Sequence, residues 1–226
     1  MPVNEEKYTE IIKELRAANV QLIAVSKIQS VADIKKLYDL GQRDFGENYV
    51  QELVEKQALL PLDIRWHFIG HLQSNKVKYI APFVHLIQGV DSVKLLTEIN
   101  KQAKKINKTI NCLLQIHIAS EETKFGLDEN ELNEIINTIR TNPQQFSNIR
   151  IKGLMGMASF SNDLEKVRAE MKTLKFLFQK FQSLSTDNYN LSILSMGMSS
   201  DYQLAIEKGS NMVRIGSLLF GAREKK

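Results

Sequence analysis

"IAVSKIQSVADIKKL" (residues 23–37) passes from an apolar run to a helical period within a few positions. Read outward, "QLIAVS" (21–26) has the continuous apolar character of a strand buried on both faces. Ser30 is a good N-cap, after which Val31, Ile34, Leu37 and Tyr38 share one helical face, and Gly41 closes the helix. Lys27 stands between the two elements. A lysine there is either the solvated end of a strand or a nucleophile aimed into a pocket.

The same strand-to-helix step recurs along the chain. A leading helix over 4–18 sets Tyr8, Ile11, Ile12 and Leu15 on one face. Further strands are expected at 43–47, 65–70, 84–90, 109–118, 149–157, 191–197 and 211–216. Each is followed by a helical segment. Asn48 is expected to cap the helix after strand two, with Gln51 completing a capping box. Helices are predicted over 73–81, 128–140 and 201–208, with a last turn at 217–222. The long helix after strand six carries Val167, Met171, Leu174, Phe178 and Phe181 at helical spacing. Eight β/α units predict an α/β fold, a single (β/α)8 TIM barrel with an extra N-terminal helix. No Gly-x-Gly-x-x-Gly follows a strand, which argues against an open doubly wound sheet. No linker or composition break divides the chain, so residues 1–226 are read as one domain.

Composition narrows the function. With 43% hydrophobic residues, the 226-residue chain has ample material for a core. The net charge of +4 is scattered, and no basic stripe interleaves with aromatics, so no nucleic-acid partner is expected. Cys112 is the one cysteine, which excludes an internal disulfide. The N-terminus is polar and helical in pattern, unlike a secretion signal, and no apolar run is long enough to span a bilayer. A cytoplasmic chain with no membrane partner is expected. The histidines His67, His71, His85 and His117 lack Cys or paired carboxylates at ligand spacing. They are read as core or rim residues making single hydrogen bonds, and no metal site is expected.

In a TIM barrel, function gathers at the C-terminal ends of the strands, with phosphate often held after strands seven and eight. After strand seven comes "SMGMSS" (195–200), and after strand eight "IGS" (215–217). Glycines admit an anion to backbone N–H groups, and serines add hydroxyl donors. These loops read equally as ordinary strand–helix turns. Lys27 ends strand one on the same rim, where a partly desolvated lysine can form an imine with an aldehyde. Arg214 interrupts the apolar strand "NMVRIG" and must find an acceptor. That acceptor is either a ligand or an interior carboxylate such as Glu47. A phosphorylated aldehyde, a lysine imine and an arginine near a ring nitrogen together describe pyridoxal 5'-phosphate, PLP.

The segments "AVSK" (24–27), "DFGENYVQE" (44–52), "WHFIGHLQSNK" (66–76), "KGLMGM" (152–157), "LSMGMSSD" (194–201) and "VRIGSLLFGAR" (213–223) run in order through the chain. Together they resemble the YggS/PROSC group, the pyridoxal phosphate homeostasis proteins. The resemblance implies the barrel of the alanine racemase N-terminal domain type. It implies Lys27 as the residue forming a covalent imine with PLP and Arg214 facing the pyridine nitrogen. Ser195, Met198, Ser199, Gly216 and Ser217 would surround the phosphate, and Asn48 would lie against the ring. "SKIQS" departs from many relatives, which carry Thr and Pro after the lysine.

A racemase of this kind needs a tyrosine on the face opposite the lysine, which the resemblance places in a separate β-rich domain. Tyr49 and Tyr202 are the rim tyrosines here, and the sequence puts neither opposite Lys27. An arginine at the ring nitrogen favours an unprotonated ring, a poorer electron sink than a pyridinium. The expectation is a monomeric protein that holds and hands on PLP in vitamin B6 homeostasis without robust catalysis, with PLP-dependent apo-enzymes as acceptors. The alternatives are a small PLP-dependent amino-acid racemase and, more weakly, a lysine-imine aldolase.

Overall fold

The computed structural model describes residues 3–121, 125–184 and 186–221. Eight parallel strands close into a barrel in sequence order. They are β1 (Gln21–Val25), β2 (Asp44–Glu47), β3 (Arg65–Phe68), β4 (Leu86–Val90), β5 (Ile110–Ile116), β6 (Ile149–Gly156), β7 (Tyr189–Ser195) and β8 (Met212–Ile215). Closure comes from β1 against β8, where Ile23 pairs with Arg214 and Ala24 with Ile215.

Several of the helices packed outside the barrel start at a side-chain cap. α1 (Glu5–Ala17) is capped by Asn4, and α2 (Val31–Asp39) by Ser30, whose hydroxyl accepts from Asp33 N. Then come α3 (Val50–Leu59), α4 (Val77–Ile80), α5 (Val93–Lys105), α6 (Glu129–Thr141), α7 (Leu164–Gln182), α8 (Tyr202–Glu207) and α9 (Ser217–Phe220). Val167, Met171, Leu174, Phe178 and Phe181 on α7 are all buried, as their spacing predicts. Residue 222, the predicted end of the last turn, lies outside the described residues.

Two expectations are corrected. Asn48 does not cap α3: Tyr49 holds the N-cap position and no side chain bonds there, while Gln51 instead donates to Glu55. The segment 73–81 is not one helix but a 3-10 turn (Ser74–Lys76) followed by the single turn of α4.

Side chains on the strands divide by parity, as successive Cβ atoms point to opposite faces. Ile23, Leu86, Leu113, Met155 and Met212 fill the barrel interior, and a larger apolar layer joins the wall to the helices. Met155 is therefore barrel filler, and Met196 belongs to the outer layer. No helix among the described residues is long and apolar enough to cross a membrane.

Candidate functional site at the C-terminal rim

The strand order brings Lys27, Asn48, Arg214 and the loops after β7 and β8 to one end of the barrel. Lys27 follows β1 in a tight turn in which Gln29 N donates to Ser26 O. Ile28, next in that turn, sits at φ 67°. A β-branched residue pays roughly 1–2 kcal/mol to adopt this left-handed conformation. Lys27 is half-buried, whereas Ile28 is exposed.

Arg214 is buried among neutral acceptors. Its Nη1 donates to Ser195 Oγ at 2.6 Å and its Nη2 to Gly156 O at 2.9 Å. Burial pushes its guanidinium down to about 10. Glu47 is not its partner, contrary to one reading of the sequence. Glu47 follows the inward Gly46 by one residue and so faces the helix layer, where Ser26 and Lys56 donate to its Oε1 at 2.6 and 2.8 Å. Burial raises the Glu47 carboxyl above the usual range despite both donors, and its Oε2 is buried with no hydrogen-bond partner.

The Ser195 hydroxyl is committed below the rim: it accepts from Arg214 and donates to Gln88 Oε1 at 2.7 Å. Gln88 Nε2 lies 3.2 Å from His67 Nδ1, and His67 Nε2 lies 3.1 Å from Asp44 Oδ1. With His67 carrying its proton on Nε2, every bond in the series runs from donor to acceptor, from Arg214 to the Asp44 carboxylate. Burial lowers the His67 ring below its usual value, which keeps it neutral. Burial works against ionisation of Asp44, but the Arg65 and His67 hydrogen bonds outweigh it and hold the carboxyl well below the carboxylate range. His67 thus makes two hydrogen bonds where one was expected. Neither Gln88 nor this series was foreseen from the sequence.

The two small-residue loops meet on the rim. Gly197 sits at φ 97° with no room for a Cβ, which would lie 2.6 Å from that of Ala205. Met198 N donates to Asp201 Oδ1 at 2.6 Å, so this amide is occupied within the loop. Ser199 Oγ accepts from Gly216 N at 3.2 Å, which ties the β7 loop to the β8 loop. The N–H groups of Ser199 and Ser200 have no acceptor among the described residues. Those of Ser217 and Leu218 open α9 and have none within the helix. Ser217 itself is exposed.

Asn48 lies across the rim. Its Oδ1 is buried without a partner, and its backbone is pressed so closely by Gly70 that a Cβ there would stand 2.4 Å from Asn48 O. It also lines a cavity of about 630 Å³ shared with Tyr49, Phe68, His71 and Lys76. Tyr202 faces away, donating its hydroxyl to Glu14 on α1 at 2.9 Å; burial and that bond push it up to about 12. Among the described residues no cluster of His, Cys, Asp or Glu could hold a metal ion.

These residues suit PLP on their own geometry. A buried cation with only neutral acceptors and free amides on two joined loops would complement an anionic ligand, and the orphaned Asn48 Oδ1 would take a donor from its ring.

Fold and site together define a barrel of the alanine racemase type. The family model described as "Alanine racemase, N-terminal domain" matches residues 5–224. A pyridoxal phosphate homeostasis protein of Pasteurella multocida is 40% identical over 210 residues, covering 91% of this chain and 87% of that one. The structure of PipY from Synechococcus elongatus with PLP bound aligns at a TM-score of 0.82 and 34% identity, covering 94% of this chain and 99% of that one. An alanine racemase of Clostridium difficile shares the fold, with a TM-score of 0.78 at 16% identity, over 100% of this chain and 62% of its own. The chain belongs to the pyridoxal phosphate homeostasis protein family.

Proposed function

We propose that this chain binds pyridoxal 5'-phosphate as an imine on Lys27 and serves its intracellular homeostasis, holding the cofactor and passing it on without robust turnover. The observation that carries the reading is Arg214, a buried guanidinium hydrogen-bonded only to neutral groups at the rim where Lys27 emerges. When bound, PLP supplies an aldehyde for the lysine and a ring able to withdraw electrons. Asn48 would lie against that ring, and Met198, Ser199, Gly216 and Ser217 would shape the phosphate loops. Ser195 would act through Arg214, because its hydroxyl is already bonded to Arg214 and Gln88.

Amino-acid racemisation needs a second acid–base group opposite the lysine. Tyr202 is engaged with Glu14 and is pushed well above neutrality. Arg214 stays protonated at neutral pH, so it hydrogen-bonds the ring nitrogen without giving it a proton, which restrains carbanion chemistry. These two features favour custody over catalysis. We read residues 1–226 as one cytoplasmic, monomeric PLP-binding domain whose acceptors are PLP-dependent apo-enzymes.

Purified protein incubated with PLP should bind one equivalent with the absorbance of an imine. It should also release PLP to an apo-enzyme and show no racemisation of alanine or other amino acids. Racemisation at ordinary enzymatic rates would overturn the custody reading in favour of the racemase.

A further inference from the structure

The turn that carries Lys27 is gripped from outside the barrel wall. Ser26, just before the lysine, gives its carbonyl to Lys56 Nζ at 2.8 Å. Ile28, just after it, gives its N–H to Glu52 Oε2 at 2.8 Å. The two grips form one unit, because Lys56 and Glu52 stand one helical turn apart on α3 and pair at 2.7 Å. The third acceptor for the Lys56 ammonium is Glu47 Oε1, which also receives the Ser26 hydroxyl. An ammonium has three protons, and Lys56 spends them on three acceptors from three elements. It is 7% exposed, so this is no solvated surface pair.

The grip coincides with strain. Ile28 holds a left-handed conformation that a β-branched residue avoids unless its surroundings impose it. The Glu52 carboxylate on its N–H supplies that constraint. Burial works against the charge of Glu52, but hydrogen bonds from Lys56 and Ile28 and the charges of Lys56 and Lys27 hold its carboxyl below the usual range.

We infer that Glu52 and Lys56 are positioning residues for Lys27, holding the Ser26–Ile28 backbone in a strained turn so that the lysine is presented to the aldehyde of PLP. The inference rests on the reading that Lys27 forms the imine.

The test compares full-length Glu52→Ala, Glu52→Gln and Lys56→Met proteins with the unchanged chain. Three quantities are read: amide hydrogen exchange at Ile28, the rate of imine formation with PLP, and the pH midpoint of the imine absorbance. Glu52→Ala should exchange at Ile28 about tenfold faster, form the imine about tenfold more slowly and show a displaced midpoint. Glu52→Gln keeps an acceptor for Ile28 and should fall between. A merely structural role would lower the melting temperature and leave rate and midpoint in place. If Lys56→Met does not fold, the Glu52 pair decides. An unchanged rate and midpoint in folded Glu52→Ala overturns the inference while leaving the Lys27 imine standing. No imine on Lys27 in the unchanged protein defeats the cofactor reading, and the positioning role with it, even if exchange at Ile28 accelerates.

Discussion

Arg214→Leu is expected to weaken PLP binding by about 10- to 100-fold while leaving the unfolding midpoint close to that of the unchanged protein. The first part follows from what a charged hydrogen-bond donor contributes to binding, about 1.5–3 kcal/mol, and from the tenfold change in affinity that each ~1.4 kcal/mol brings. The second follows from the company Arg214 keeps. Its partners are the Ser195 hydroxyl and the Gly156 carbonyl, so its removal strands no buried carboxylate. Removing this buried charge also removes the cost of keeping it from water, which offsets the two neutral acceptors left without a donor. Arg214→Lys should be intermediate, because an ammonium lacks the planar fork that reaches both acceptors. Equilibrium dialysis and thermal melts on the same samples check both parts. Unchanged affinity would mean that Arg214 is only a strut of the barrel.

Asp44→Ala is expected to cost about 3 kcal/mol in unfolding free energy. Asp44 accepts from Arg65 Nε at 2.7 Å and from His67 Nε2 at 3.1 Å, beneath the series that ends on Arg214. Removing it leaves the buried His67 N–H without an acceptor, about 1–3 kcal/mol, and deletes a charge-assisted pair worth about 1.5–3 kcal/mol. The pair is discounted because Arg65 is 46% exposed and water takes over its donors.

The same residues give stability an acid limb in two phases. His67 is held neutral in the fold by burial, whereas an unfolded histidine takes up a proton near 6.5. Stability should therefore fall as pH drops below about 6.5. Asp44 has a depressed carboxyl in the fold, so its contribution is complete above the ordinary Asp value and is lost as pH falls below about 4. Urea unfolding from pH 7.5 to 3 should show both phases, with His67→Gln shrinking the upper one, which His85 shares because burial lowers its ring too, and Asp44→Ala removing the lower. A flat profile between pH 6.5 and 5 in the unchanged protein, or a cost under about 1 kcal/mol for Asp44→Ala, would contradict this assignment.

What the sequence disclosed, and what it did not, follows from how far a residue's partners lie along the chain. Strand and helix order was legible because each element carries its own period: "QLIAVS" is apolar throughout, and Val167 to Phe181 repeat at helical spacing. Lys27 and the 195–200 and 215–217 loops were legible once the strand count put them on one rim. Asn48 was misassigned because an asparagine before a helix is an equally good cap and ligand, and only the close approach of Gly70 shows which way its backbone is held. The wrong partner for Arg214 is an error of parity. Glu47 belongs to the right strand end, but its side chain points out of the wall one residue after an inward glycine. Gln88 was missed, and His67 was read as making one hydrogen bond, because the partners of both come from other strands. Their one local sign was polarity at an inward position. Lys56 resembles an ordinary i,i+4 surface pair with Glu52 until packing buries it beside Leu53.

The proposed function turns on Lys27 as the residue that carries the cofactor. Borohydride reduction of the PLP-loaded protein, followed by peptide mass mapping, tests it most directly. A phosphopyridoxyl adduct should appear on the peptide containing Lys27 and vanish in Lys27→Ala. An adduct on another lysine, or none at all, would contradict the account.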